Sequence, residues 1–130
     1  DAITKFVMRE PKRRVLHNSL GQKNYLNLMK VADVVIGNSS SGIIEAPALH
    51  VPTVNIGTRQ DGRLRADSII DCKFGHNEIR TAIETALSPL WKSRCHETAG
   101  KYGSGNTAKS IADTLKNTKL TTHKIFFDNF

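Results

Sequence analysis

VVIGNSSSGIIEAPALHVPTVNIGTRQDGR, Val34 through Arg63, is the stretch on which the reading of this chain turns. Val34-Val35-Ile36 is a continuous β-branched run suited to a strand buried on both faces. A hydroxyl-rich turn follows, Asn38 to Gly42, and a short helix is expected from Ile43 to Leu49. Pro47 is comfortable only in a first turn, so this helix is expected to start near Ile44 or to bend at Pro47. Val51-Pro52 opens a second strand, Thr53 to Ile56, closed by Gly57 before a polar loop, Thr58 to Arg65. Strand, helix and strand in that order predict parallel pairing through a crossover.

The turn gathers the hydroxyls of Ser39, Ser40 and Ser41 with backbone N–H groups and the positive end of a helix dipole. That combination is an anion site. Glu45 lies about a turn further on, and Arg59 and Arg63 return from the second strand. N–H and O–H donors, a carboxylate for sugar hydroxyls and a cation together suit a diphosphate flanked by a ribose. The motif is no P-loop, because no lysine follows the glycine, and it lacks the G-x-G-x-x-G spacing of a dinucleotide fingerprint. Plainer readings stand beside this one. The serines can cap the helix, Glu45 can close a capping box three residues after Gly42, and the two arginines can be solvated surface groups.

Outward from this stretch the pattern keeps alternating strand and helix, as in a layered α/β domain. Residues 2 to 10 read as a short helix ended by Pro11, and Val15-Leu16-His17 as a short strand. Gln22 to Ala32 is helical, with Tyr25, Leu28, Met29 and Ala32 on one face. Ser68 to Asp71 reads as another strand, and His76 to Leu87 as a helix with Ile79, Ala82, Ile83, Ala86 and Leu87 inward and His76 or Asn77 as its cap. A helical piece from Pro89 to Thr98 carries Trp91, read as an anchor, and a glycine-rich break, Gly100 to Gly105, precedes a last helix capped by Asn106 or Thr107 and running to about Leu115. Ile125-Phe126-Phe127 and Phe130 are too apolar for an idle tail and are expected to pack on something. The expected fold is one domain over residues 1–130, a doubly wound, Rossmann-like parallel-sheet half. Ligands of such sheets sit at the carboxyl ends of the strands, where the turns after Ile36 and Ile56 lie.

Composition narrows the function. The chain has 130 residues, 38% hydrophobic and 24% charged, as in ordinary globular proteins. No apolar run spans a bilayer and no leader pattern opens the chain, so no membrane partner is expected. Cys72 and Cys95 have no metal spacing and are expected as reduced thiols of a cytoplasmic protein. The formal charge of +7, from 19 Lys and Arg against 12 Asp and Glu, invites a nucleic-acid reading. Its distribution argues against one: only Lys12, Arg13 and Arg14 cluster, and no aromatic platform is interleaved with them. His17, His50, His76, His96 and His123 form no metal-ligand spacing, and no catalytic triad or carboxylate pair can be drawn from spacing. No catalytic residue, metal or cofactor is assigned.

At these residues the chain resembles a known family. GNSSSGIIEAPALHVPTVNIGTRQDGRLRADSIIDC is similar to the hydrolysing UDP-N-acetylglucosamine 2-epimerases of sialic-acid biosynthesis. SLGQKNYLNLMKVADVVIGNSSSG and KYGSGNTAKSIADTL extend the resemblance from about Ser19 to Leu115. It implies a glycosyltransferase-B-like parent, with substrate held between two Rossmann-like halves, of which this chain resembles the carboxyl-terminal one. By that likeness Ser39 and Ser40, with Ser41 and Gly42 in the same turn, hold the diphosphate, Glu45 the ribose hydroxyls and Arg59 the nucleotide's charged part, with Arg63 nearby. The Leu20 backbone and the Tyr25 ring face the uracil. The family reaction eliminates UDP from UDP-N-acetylglucosamine and adds water to give N-acetylmannosamine. Its acid–base groups lie upstream of the stretch matched here, so the chain alone is expected to be inactive and its parent homo-oligomeric. Three classes are carried forward: half of such an epimerase, acting on UDP-N-acetylglucosamine or on a diacetamido UDP-sugar; the matching half of a UDP-sugar glycosyltransferase; and a basic nucleic-acid-binding module.

Overall fold

In the computed structural model, residues 1–98, 100–103 and 105–119 are described. The apolar tail lies outside them. Nine elements follow in chain order: α1 (Ala2–Met8), α2 (Gly21–Val31), β1 (Val35–Gly37), α3 (Ser41–Ala48), β2 (Thr53–Ile56), β3 (Ile69–Cys72), α4 (His76–Leu87), α5 (Pro89–Glu97) and α6 (Thr107–Asn117). The strands form one parallel sheet in the order β1-β2-β3, with Val35 opposite Thr53 and Thr53 opposite Ile69. This is the expected α/β fold, a Rossmann-like parallel sheet with helices on both faces.

Alternation along the strands assigns the two faces. Val35 packs with Met29 of α2, Ala46 of α3 and Val51 on one side. Val34, Val54, Ile56, Ile70 and Cys72 point the other way, onto Ala82, Ile83 and Ala86 of α4 and Trp91 of α5. The inward stripe read from the α4 sequence is therefore largely the stripe that packs, although Leu87 is exposed. Trp91 acts as the expected anchor, its Nε1 donating to the Ser68 carbonyl at 3.4 Å. Lys92 reaches Asp33 at 2.6 Å and ties α5 to the approach of β1. Ser88 separates α4 from α5 and works for both, donating to the Thr85 carbonyl and accepting from the Trp91 amide.

Three local expectations are corrected. Val15-Leu16-His17 forms no strand: among the described residues it has no ladder partner, and Val15 is 76% exposed. Two apolar residues and a histidine cannot hold a strand without a neighbour to bond. The cap of α4 is Gly75, with no side-chain cap bond from His76 or Asn77. At α6, Asn106 takes the cap position as expected, without a side-chain cap bond. Finally, α3 begins at Ser41 rather than near Ile44, and Pro47 sits inside its last turn.

The end of α3 shows how that proline is tolerated. Val51 N–H bonds to the Ala46 carbonyl at 2.9 Å and His50 N–H to the Pro47 carbonyl at 3.1 Å, with His50 at φ 60°. This is a Schellman stop, with histidine where glycine is usual, closed by the Ala46–Val51 apolar contact. The helix ends just beyond Pro47, so the proline disturbs little. The basic cluster before α2 is partly structural: Arg14 lies 4.0 Å over the Phe6 ring and bonds the Phe6 carbonyl and Glu10.

Candidate functional site

The turn from Asn38 to Ser40 joins the carboxyl end of β1 to the start of α3, as parallel-sheet ligand sites require. Gly37 enters it at φ 147°, a backbone angle that favours glycine. The turn is not as open as the sequence suggested. Ser41 N–H bonds to Ser39 Oγ at 3.3 Å, Gly42 N–H to the Ser39 carbonyl at 3.2 Å, and Ile43 N–H to the Ser40 carbonyl at 2.9 Å. Self-satisfaction of this kind is how an ST turn completes a helix start. Among the described residues the Ser39 and Ser40 amides keep no partner, and Ser40 caps α3 by position without a side-chain bond. Two amides, the Ser40 hydroxyl and the helix dipole remain available to an anion.

Tyr25 reaches this turn from α2, its hydroxyl donating to Ser41 Oγ at 3.0 Å. Leu20 stands at the N-cap position of the same helix and is half-buried. Tyr25, Gly37, Ser39 and Gly42 line a cavity of about 80 Å³ with Val35, Ile36 and Thr53. That volume is far below the roughly 300–1,000 Å³ of complete small-molecule pockets.

Glu45 lies in the second turn of α3, five positions past its cap, so the capping-box alternative is ruled out by geometry. Its Oε2 is buried with no hydrogen-bond partner among the described residues. A carboxylate oxygen left so is an acceptor awaiting a donor. Arg59 is brought to the turn, its Nη1 donating to the Asn38 carbonyl at 3.2 Å. Arg63 is exposed, and among the described residues no side-chain hydrogen bond or ion pair links it to the serine turn.

Two residues of this region were not singled out in the sequence. Gln60 is 3% exposed and donates from Nε2 to the same Asn38 carbonyl at 2.7 Å. Asn55, buried in β2, donates to Asp71 on β3 at 2.6 Å, and Asp71 also holds Arg65 at 2.8 Å. That network fastens the loop after β2 to the sheet. An amide inside a polar loop carries no periodic signal, and the only available cue was the position of Gln60 beside Arg59.

A larger cavity, about 540 Å³, lies along β3 and α4, lined by residues including Asp71, Cys72, Asn77 and Glu78. It presents the carboxylates of Asp71 and Glu78 beside Lys73, whereas the smaller serine-lined wall presents amide and hydroxyl donors. Among the described residues no group of His, Cys, Asp and Glu is placed to hold a metal, and no helix is long and apolar enough to cross a membrane. Cys72 and Cys95 are free thiols. Burial raises the pKa of both above the ordinary thiol value, with Asp71 and Glu78 adding to the effect at Cys72 and Arg94 opposing it at Cys95.

Comparison with known proteins converges on one family. Residues 1–116 match the family described as UDP-N-acetylglucosamine 2-epimerase. The chain is 41% identical over 116 residues to a GDP/UDP-N,N'-diacetylbacillosamine 2-epimerase (hydrolyzing) of Campylobacter jejuni, covering 87% of this chain and 30% of that protein. It is 36% identical over 128 residues to polysialic acid biosynthesis protein P7 of Escherichia coli, covering 95% of this chain and 32% of the relative. A UDP-N-acetylglucosamine 2-epimerase of Neisseria meningitidis serogroup B is 34% identical over 107 residues, covering 80% of this chain and 28% of the relative. The chain thus spans about 30% of the length of the relatives it matches. It belongs to the UDP-N-acetylglucosamine 2-epimerase family.

Proposed function

We propose that this chain is the UDP-binding half of a hydrolysing nucleotide-sugar 2-epimerase of glycosyltransferase-B-like architecture. The carrying observation is the turn at the carboxyl end of β1: two unpartnered serine amides and the Ser40 hydroxyl on a helix start, beside Arg59. In this reading Ser39, Ser40, Ser41 and Gly42 cradle the diphosphate, Glu45 accepts from the ribose hydroxyls through its unpartnered Oε2, and Arg59 turns from the Asn38 carbonyl to the phosphates. The Leu20 backbone and the Tyr25 ring face the uracil, and Arg63 adds positive charge at the rim.

The reaction proposed for the whole protein eliminates UDP, breaking the sugar C1–O and C2–H bonds to leave a C1=C2 double bond. It then adds water across that bond, OH to C1 and H to the opposite face of C2, to give N-acetylmannosamine and UDP. Negative charge develops on the departing diphosphate. Donors and charge already aimed at it lower that barrier without reorganisation. The role of this half is therefore leaving-group stabilisation, and the proton-transfer groups come from the opposing half. A chain of residues 1–130 alone turns over no substrate.

A second substrate reading has its own support. The Campylobacter jejuni relative, at 41% identity, is named for N,N'-diacetylbacillosamine, against 34% identity for the UDP-N-acetylglucosamine 2-epimerase. The diacetamido alternative shares the UDP half and differs only at the sugar.

Titration of UDP, UMP and ADP by calorimetry or NMR tests the reading, in wild type and in Ser40→Ala and Glu45→Ala. One wall of a site is expected to bind UDP near millimolar, about 4 kcal/mol, with loss in both variants. Equal binding of all three nucleotides, or none, would reduce the serine turn to a helix cap.

A further inference from the structure

Gln60 and the first amide of the serine turn are linked through one peptide unit. The Asn38 carbonyl and the Ser39 N–H belong to the same group of atoms, and no cis peptide occurs among the described residues. In a trans peptide the N–H and C=O point in opposite directions. Gln60 Nε2, 2.7 Å from the Asn38 oxygen, therefore draws the carbonyl toward the loop after β2 and aims the Ser39 N–H away from it. If this peptide turned over, a carbonyl oxygen would stand where the N–H was, and a donor would become an acceptor facing a diphosphate.

Arg59 cannot secure this alone. It is exposed, its bond to the same oxygen is longer at 3.2 Å, and a bound anion competes for its guanidinium. Gln60 is buried, neutral and held in place. Its Oε1 is buried with no partner among the described residues. An amide normally rotates to avoid such a loss, but rotation here would set oxygen against oxygen at Asn38. The orphaned oxygen is the cost of keeping the donor on the turn.

We propose that Gln60 is a positioning residue for the diphosphate: it locks the Asn38–Ser39 peptide so that the Ser39 N–H stays a donor when Arg59 leaves for the ligand. This rests on the nucleotide-binding reading above and names the residue that orients its first amide.

The test is Gln60→Met in the 130-residue chain, which keeps length and apolar bulk and deletes the donor. UDP, pyrophosphate and uridine are titrated by NMR while the Ser39 and Ser40 amides are followed. Affinity for UDP and for pyrophosphate is expected to fall about tenfold with uridine unchanged, because only the phosphate donor is disturbed. A UDP affinity within about twofold of wild type, or a parallel loss for uridine, overturns the inference. Loss of UDP binding in Ser40→Ala beside an unaffected Gln60→Met overturns it while sparing the nucleotide reading. If wild type binds none of the three ligands, both fall. Should Gln60→Met not fold, the wild type still decides: protected Gln60 side-chain amide protons and a Ser39 amide that shifts with pyrophosphate support the lock, and rapid exchange or an unmoved Ser39 refutes it.

Discussion

Gly42→Ala places the junction between sheet and site under direct strain. Gly42 is buried at the second position of α3, and a methyl there would stand 2.9 Å from Thr53 Cγ2, with Thr53 Oγ1 and Val35 Cγ1 each at 3.8 Å. Comfortable carbon–carbon contact begins near about 3.5 Å, so the shortfall is about 0.6 Å. Thr53 cannot turn aside: it is β-branched, 2% exposed and paired on both sides in the central strand. The start of α3 has to lift instead. Overpacking of this kind costs about 1–3 kcal/mol, whereas alanine gains about 1 kcal/mol over glycine inside a helix. The clash wins by about 1 kcal/mol, which lowers the thermal midpoint of a chain this size by roughly 3–5 °C.

Urea unfolding of four proteins isolates the cause: wild type, Gly42→Ala, Thr53→Ser and the double variant. Thr53→Ser deletes Cγ2, so in that background Gly42→Ala should become neutral or stabilising, a coupling of about 1–2 kcal/mol. On the proposed nucleotide-binding reading, the displaced turn should also weaken UDP binding in Gly42→Ala, and the double variant should recover it. An unfolding midpoint for Gly42→Ala at or above wild type would refute the reasoning, as would an equal loss in both backgrounds.

Two further outcomes test the core. Thr53 Oγ1 is buried without a partner, so Thr53→Val, which keeps the shape and removes the hydroxyl, should raise stability by about 1 kcal/mol in urea unfolding; a fall would show that the hydroxyl is bonded. Because burial raises the Cys95 pKa in the folded chain, the folded state holds that proton more tightly, and the stabilisation is complete below the unfolded thiol value and lost as pH rises through the folded one. Stability should therefore decline above about pH 8.5 and decline less in Cys95→Ala, as followed by thermal midpoints from neutral to alkaline pH.

The sequence by itself determined the strand Thr53–Ile56, the helix His76–Leu87 and the place of the serine turn before α3. Their signals are local: β-branched runs, an inward stripe at helical spacing, hydroxyls gathered where a helix begins. Val15-Leu16-His17 has the same composition as a strand and forms none, because pairing is a property of two segments and not of one. At the site, local chemistry named Ser39, Ser40 and Arg59, the family resemblance added Tyr25, and the fold brought all of them to one end of β1. Only tertiary structure decided which donors stay free. Ser41, Gly42 and Ile43 spend their amides within the turn, while Ser39 and Ser40 keep theirs. It also decided that Glu45 lies beyond capping reach with a buried, unpaired oxygen. Gln60 was invisible for the same reason. Its role depends on one carbonyl 22 residues away in the chain, and that distance is closed only when β1 and β2 pair.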